Sequence, residues 1–299
     1  ACMVRTWQDM HVVIDAAQRG RQQWICEVSS SRSISPYLKE LVLRLPKGER
    51  IEFCAGDYVQ VAAPPYQLDF ADISIDPPFD LHWQKLGLTA LKSQSGETTV
   101  RAYSLANPPR DDREIRLVVR IATPPVTAPA DTPPGRASSY LFGLRPGESL
   151  PVTGPFGTFH ATESQRDMVL IAGGAGIAPM RSIILDQLHR GTGRRMSLWF
   201  GARDRPDLCY HDEFLALAEQ HGHFDFHAVL SEPAAGDDWT QATGFVHQVV
   251  YEQYLRGHPE PAALEFYVCG PPVMAAAVLG MLEGLGVPPE GILMDDFGS

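Results

Sequence analysis

Arg101-Ala102-Tyr103-Ser104 sets a cation, an aromatic ring and a hydroxyl within four residues of a β-prone run. Arg101 can fork onto a phosphate, Tyr103 can stack on a planar heterocycle, and the Ser104 hydroxyl can hydrogen-bond a ring nitrogen such as flavin N5. An ordinary strand end would carry the same residues, so the run gains meaning from the motifs downstream of it. Gly173-Gly174-Ala175-Gly176-Ile177-Ala178-Pro179-Met180 is a glycine-rich turn between an apolar run and a helical pattern. There Gly174 and Gly176 let the backbone approach a pyrophosphate, and Pro179 suits the first turn of a helix whose N-terminus faces the negative charge, although a tight strand-to-helix turn with no ligand would carry the same glycines. That helix-end attraction is worth only about 0.3 to 2 kcal/mol, so it positions a nucleotide without supplying all its affinity. Tyr267-Val268-Cys269-Gly270-Pro271-Pro272 repeats the geometry. A free cysteine is most often a small buried hydrophobe, but Gly270 and Pro271 behind it predict an exposed strand tip that sets Cys269 beside a nicotinamide. Gly135-Arg136-Ala137-Ser138-Ser139-Tyr140 could start a helix whose N–H groups and serine hydroxyls receive a flavin pyrophosphate, and a serine-capped helix with no anion would read the same.

In this order the motifs describe a flavin platform followed by a pyridine nucleotide platform. The elements that must position them fall into two rhythms. Trp24–Val28, Leu38–Leu45, Tyr58–Ala62, Val100–Ser104 and Ile115–Ile121 are short β-prone runs, and an antiparallel β-barrel is their economical arrangement. Between Pro64 and Gly96 a stretch rich in Pro and Asp predicts a surface excursion. After about His160, strand and helix patterns alternate: Met168–Ala172 before a helix from Ala178, Ser197–Phe200 before Asp212–Gln220, Phe226–Leu230 before Gly244–Leu255, and Phe266–Cys269 before Pro272–Leu285. Thr243 is the expected N-cap of the third helix. Such alternation predicts an α/β domain with a parallel sheet covered on both faces. The expected units are residues 1–20 as a remnant of an upstream domain and linker, 21–160 as the flavin-binding barrel, and 161–299 as the nucleotide-binding domain.

Length and composition agree with two domains. The chain has 299 residues, 44% of them hydrophobic, enough for two cores of ordinary size. A net charge of −11 with no basic run repels phosphate backbones, so nucleic acid is not an expected partner. Met168–Met180, the longest largely apolar stretch, is too short to span a bilayer and is broken by glycines. The start, Ala1-Cys2-Met3-Val4, has neither an initiator Met nor an apolar leader and reads as cut from something longer. Cys2, Cys26, Cys54, Cys209 and Cys269 are scattered, as suits reduced thiols in a cytoplasmic compartment, and no pair has zinc or iron–sulfur spacing. No metal site is expected. His221, His223 and His227 lack a helical i,i+4 pair and read as solvated loop and strand, and Met274 and Met281 as helix core. Asp204 and Asp207 could contact a ribose 2′-OH, while Arg203 and Arg205 could hold a 2′-phosphate, so these residues leave NADH and NADPH open.

The ordered motifs resemble those of the ferredoxin-NADP reductase superfamily. Val119-Arg120-Ile121-Ala122-Thr123-Pro124-Pro125, Pro133-Pro134-Gly135, Gly154-Pro155-Phe156-Gly157 and Asp295-Asp296-Phe297-Gly298 are similar, within it, to the family of F subunits of sodium-translocating NADH:quinone reductases. The resemblance implies that FAD is bound by Arg101, Tyr103, Ser104, the Ile121, Ala122 and Thr123 backbone, and Gly135, Ala137, Ser138 and Ser139. It implies that Phe297 stacks on the isoalloxazine where the nicotinamide must later sit, a contact worth about 0.5 to 1.5 kcal/mol that NADH can displace. It favours NADH as donor, hydride transfer from its C4 to flavin N5, and one-electron delivery to a [2Fe-2S] domain of which Cys2 is the last ligand. Its setting would be a membrane quinone reductase complex on the cytoplasmic face of a bacterial inner membrane. Two other readings share these residues: a reductase component of a soluble oxygenase, and a flavin-binding module without turnover.

Overall fold

The computed structural model describes residues 21–125, 127–129 and 131–295. Its first strand, β1 (Gln22–Ser35), alternates buried Trp24, Cys26 and Val28 with exposed Gln23, Ile25 and Glu27, the period of two that lays one strand face on a core. It pairs antiparallel with β2 (Leu38–Arg44). The strands β3 (Tyr58–Ala63), β6 (Thr99–Ser104), β7 (Glu114–Arg120) and β8 (Ser149–Phe156) complete a six-stranded sheet in the order β6-β3-β8-β1-β2-β7. Its two edges meet through one bridge, Leu105 to Leu117, so the expected barrel is a half-barrel with a short seam. The strand β8 was not legible as a strand in the sequence, because its pattern is broken by Gly154 and Pro155.

The Pro64–Gly96 stretch is more than a surface excursion. It folds as a hairpin of β4 (Tyr66–Asp69) and β5 (Lys92–Ser95) around the helix α1 (Phe79–Lys85). Phe70 and Trp83 from this segment are buried, and Trp83 lies between the rings of Phe70 and Phe142, at 5.8 and 6.0 Å. Each such pair adds about 0.5 to 1.5 kcal/mol beyond the area it buries. The Trp83 indole N–H donates to Pro36 O at 2.6 Å. Phe142 belongs to α2 (Arg136–Gly143), so the insertion braces that helix from outside the barrel. Aromatic content, rather than the Pro and Asp that punctuate its turns, decides where it packs.

The second sheet is parallel. Its strands are β9 (Met168–Gly173), β10 (Met196–Ala202), β11 (Phe224–Leu230), β12 (Ala242–Thr243), β13 (Glu265–Cys269) and β14 (Ile292–Asp295), in the order β12-β11-β10-β9-β13-β14. Every residue of β9 and β13 is buried, as expected of strands covered on both faces. The helices are α3 (Ile177–Arg190), α4 (His211–Gln220), α5 (Val246–Gln253) and α6 (Pro272–Gly284). Strand order reverses between β9 and β13, which makes their carboxyl ends a topological switch point. One expected cap is corrected: Thr243 lies in β12, paired with Leu230, and Phe245 is the N-cap of α5 with no side-chain capping bond. Two residues of parallel pairing had a stronger claim on Thr243 than the helix end did.

The two sheets share a core, in which Leu38, Ala55, Ala106 and Val118 from the barrel side pack with Ile177, Met180 and Ile183 of α3. Arg181 donates to Ala106 O at 2.7 Å and Ser182 to Asn107 O at 2.7 Å. Buried Glu40 on β2 accepts hydrogen bonds from Tyr210, Arg116 and Arg32. Burial pushes its pKa up, but the Tyr210 and Arg bonds outweigh that and leave it lowered. Among the described residues no helix is long and apolar enough to cross a membrane.

Candidate functional site

On the barrel side, Ser104 ends β6 opposite Tyr58 of β3. Arg101 is exposed, with its guanidinium donating to Val100 O at 2.8 Å. Tyr103 packs against the barrel core, where burial pushes its phenol pKa up despite nearby Arg101. Arg101 thus lies on the exposed stretch Val100–Ala102 of β6, and the Ser104 hydroxyl is buried at the strand's end.

The α2 start is a preformed cradle. Gly135 is its N-cap and makes no side-chain cap bond. Its N–H donates to Ala122 O at 2.8 Å, and Ala122 N donates to Ser138 Oγ at 3.2 Å, which staples the Ile121, Ala122 and Thr123 segment to the helix. A Cβ on Gly135 would meet Ala122 Cβ at 2.7 Å and Ser138 Oγ at 2.9 Å. The N–H groups of Arg136, Ala137 and Ser138 have no intrahelical acceptor and carry the positive end of the helix dipole. One detail differs from the sequence expectation. The Ser139 hydroxyl is fully buried and donates to Gly135 O at 2.7 Å, and Ser138 Oγ donates to the same carbonyl at 3.2 Å. These hydroxyls are turned onto the helix's own first carbonyl and shape the cradle.

On the nucleotide side, the two glycine motifs meet at the switch point. A Cβ on Gly176 would lie 2.1 Å from Cys269 O, 2.5 Å from Cys269 C and 2.8 Å from Gly270 N. On Gly173 it would meet Met274 Sδ at 2.7 Å and Pro271 Cδ at 3.1 Å, and on Gly270 Met274 Cε at 2.5 Å. Absent side chains at these positions let the β9–α3 and β13–α6 turns touch, and Met274, predicted as helix core, wedges between them. Gly174 takes φ +54°, the left-handed region that favours glycine. Pro179 is buried in the first turn of α3, where a missing N–H costs nothing.

Cys269 does not sit at an exposed tip. It is fully buried with Tyr267 and Leu170 on one face of the sheet, and the exposed tip is Pro271, Pro272 and Val273. The last residue of a strand enclosed by β9 and β14 is still inside the sheet, Gly270 is half-buried, and full exposure begins at Pro271.

The structure adds a residue to the site. Ser104 Oγ donates to Asp295 Oδ2 at 3.0 Å, bridging the end of β6 to the end of β14. Asp295 is in register with Cys269. Hydroxyl and carboxylate thus meet where the half-barrel faces the parallel sheet. In the sequence Asp295 carried no signal beyond its place in the terminal Asp295-Asp296-Phe297-Gly298 run, because 191 residues separate it from Ser104. Phe297, like Cys2 and residues 1–20, lies outside the described residues.

The ribose-selecting positions resolve into local pairs. Asp204 accepts from Arg205 N at 2.8 Å and Ala234 N at 3.2 Å, and so serves the turn after β10. Burial pushes the Asp207 pKa up. Arg205 is paired with Asp237 and Asp238 at 2.5 and 2.8 Å, and Arg203 with Glu232 at 3.9 Å. Neither guanidinium is left without a carboxylate. Among the predicted non-ligand histidines, His227 stacks on Trp199 at 3.9 Å and burial lowers its pKa, while the His221 and His223 rings lie edge to face.

Residues 84–161 match the family described as an oxidoreductase FAD-binding domain, and residues 170–279 an oxidoreductase NAD-binding domain. The chain is 48% identical over its whole length to the F subunit of the Na(+)-translocating NADH-quinone reductase of Klebsiella pneumoniae, of which it covers 73%. It is 44% identical to that of Pseudomonas aeruginosa, again over the whole chain and 73% of the relative. Among solved structures, an Amycolatopsis cytochrome P450 reductase superposes with a TM-score of 0.70 at 26% identity, over 93% of this chain and 70% of that one. A ferredoxin NADP+ reductase from Neisseria gonorrhoeae, with bound FAD and NADP, shares the fold at a TM-score of 0.66 and 17% identity, over 93% and 99% of the two chains.

Proposed function

The chain belongs to the family of Na(+)-translocating NADH-quinone reductase F subunits, and we propose that it is the flavin-dependent NADH oxidoreductase through which electrons enter a respiratory quinone reductase. The observation that supports this reading is the Ser104–Asp295 contact, which joins the end of β6 to the end of β14, the strand beside β13 and the switch point.

The residues present suit FAD. The α2 cradle, which a Cβ at Gly135 would fill, offers unpaired backbone N–H groups for a pyrophosphate, and exposed Arg101 adds a guanidinium. Tyr103 gives a ring edge beside Ser104. When bound, FAD supplies a centre that accepts two electrons from NADH and releases them singly. The chain's own work is positional. The touching turns at Gly173–Gly176 and Cys269–Pro271 hold the NADH pyrophosphate, with α3 directing its N-terminus to the charge. Cys269 backs the nicotinamide from inside the sheet. The Asp295 carboxylate orients the Ser104 hydroxyl and can hold its proton. Reacting atoms must approach to about 3 to 3.5 Å, and the shared core around α3 fixes the two halves for that.

Division into residues 21–160 for FAD and 161–299 for NADH follows the same reading. Beyond the chain, the acceptor is a [2Fe-2S] domain, the partners are the other subunits of a membrane quinone reductase, and the setting is the cytoplasmic face of a bacterial inner membrane. Anaerobic rapid mixing of the flavin-loaded chain with NADH, then with NADPH, tests the core claim. Fast bleaching by NADH is expected. Bound flavin that stays oxidised through many seconds of mixing with NADH would leave a binding module without turnover.

A further inference from the structure

We propose that Cys54, Asp57 and His160 form a binding site for a thiophilic divalent transition-metal ion of the zinc class. The three residues bring one thiol sulfur, one carboxylate oxygen and one imidazole nitrogen to within 4.8 Å of one another. Sulfur, nitrogen and oxygen donors in one place are the ligand set zinc takes, with a fourth position left for water.

The acceptor of the group is already fixed. Asp57 is 6% exposed, and its carboxylate accepts from Cys54 N at 2.8 Å through Oδ2 and faces His160 Nε2 at 2.7 Å through Oδ1. Its own N–H donates to Cys54 O at 2.9 Å, and its carbonyl accepts from Leu105 N at 2.8 Å. Backbone at both ends therefore holds this carboxylate against thermal rotation. A Cβ at Gly157 would lie 2.5 Å from Oδ1, so a glycine there leaves the oxygen accessible. Cys54 is exposed and His160 half-buried, which opens the third side of the triangle to solvent and gives an ion an entry path.

Closing the three donors on one ion requires an adjustment. Zinc–oxygen and zinc–nitrogen bonds of about 2.0 to 2.1 Å at a tetrahedral angle separate the two donors by roughly 3.3 Å. His160 must therefore withdraw by about 0.6 Å from its place against Asp57, as the ion takes the position of the shared proton. On binding, the thiol proton and the proton between His160 and Asp57 leave the site, the first to solvent and the second to Nδ1 of the ring or to solvent, and no electron is transferred. The site lies at the joint between the sheets: Cys54 and Asp57 precede β3, His160 follows β8, and the ion-paired Asp186 and Arg190 of α3 are close enough to act on the thiol. An ion there would tie the loop that anchors Leu105, the neighbour of Ser104, to the segment leading into the nucleotide domain. The site was invisible in the sequence because 103 residues separate Asp57 from His160.

The test uses the flavin-loaded chain, stripped with a chelator and dialysed against Zn2+, with bound metal and flavin both quantified. Co2+ difference absorption, in which the flavin spectrum cancels, reports a thiolate-to-metal band. One saturable equivalent and a thiolate band are expected in the parent chain. Cys54→Ser should abolish the band, and both Cys54→Ser and His160→Gln should weaken binding at least tenfold with flavin content retained. Absence of the band in the parent overturns the proposal without any variant. Binding unchanged in Cys54→Ser overturns it also, and binding unchanged in His160→Gln reduces the site to a lone thiol adduct, which overturns it equally.

Discussion

An alanine at Gly176 would place a methyl group 2.1 Å from Cys269 O, 2.5 Å from its carbonyl carbon and 2.8 Å from Gly270 N. All three atoms are backbone, so no flexible side-chain end can swing away. The conformation itself suits alanine, with φ −61° and ψ −11°, and the cost is therefore steric. Restoring ordinary contact requires the β9–α3 and β13–α6 turns to separate by roughly 1 Å, and overpacking of that kind costs about 1 to 3 kcal/mol. A 1 Å displacement at a reacting centre can cost about 100-fold in rate. Gly176→Ala should thus lower the unfolding midpoint and slow NADH bleaching of the flavin by about two orders of magnitude. Flavin content should stay near that of the parent, because the FAD cradle at α2 is on the other sheet. Gly280→Ala is the control: it lies in α6 with nothing within 4 Å of an added Cβ, and should gain up to about 1 kcal/mol from helix propensity. Rapid mixing with NADH and thermal unfolding read both variants. Parent-like bleaching in Gly176→Ala would refute the touching-turn argument, and loss of flavin from it would refute the assignment of separate platforms.

Ser104→Ala removes the donor to Asp295 and should keep its flavin while slowing reduction by NADH. A hydrogen bond to a charged group is worth about 1.5 to 3 kcal/mol, roughly 10- to 100-fold in rate; an unchanged rate would take this pair out of the mechanism. Asp237→Asn with Asp238→Asn releases Arg205 from its carboxylates and should raise kcat/KM for NADPH relative to NADH, and a constant ratio would place Arg205 away from the 2′ position. Buried Lys39 donates to Phe142 O at 2.9 Å, and burial pushes its pKa down to about 8, with Arg145 assisting and Asp76 opposing. An unfolded lysine titrates near about 10.4, so between pH 8 and 10 the unfolded chain binds the proton that the folded chain has released. Stability from this residue is lowest below pH 8 and rises toward pH 10 by on the order of 3 kcal/mol. Denaturant unfolding should therefore show the parent gaining on Lys39→Met across that window, and parallel profiles would contradict a depressed pKa.

Much of this protein was legible along the chain because its signals are local. Alternation at Trp24, Cys26 and Val28 marks a half-buried strand, and the wholly apolar Met168–Ala172 run marks a strand covered on both faces. Glycines at 173, 174 and 176 announce a close backbone approach, whatever it is that approaches. Local patterns misled where tertiary contacts outweighed them. Pro and Asp made the Pro64–Gly96 segment read as a surface loop, while Phe70 and Trp83 drew it onto the barrel; Thr243 offered a cap, and strand pairing with Leu230 claimed it.

The order of motifs, two sheets of opposite kinds and the two nucleotide platforms were thus determined by residue types a few positions apart, since hydrophobic period and turn chemistry act at that range. Which residues meet was decided only by folding. Ser104 against Asp295, the Gly176 turn against Cys269, and Cys54 and Asp57 beside His160 all join segments about a hundred residues apart or more. A one-dimensional pattern carries no term for such encounters; sheet order and the packing of α3 between the halves create them.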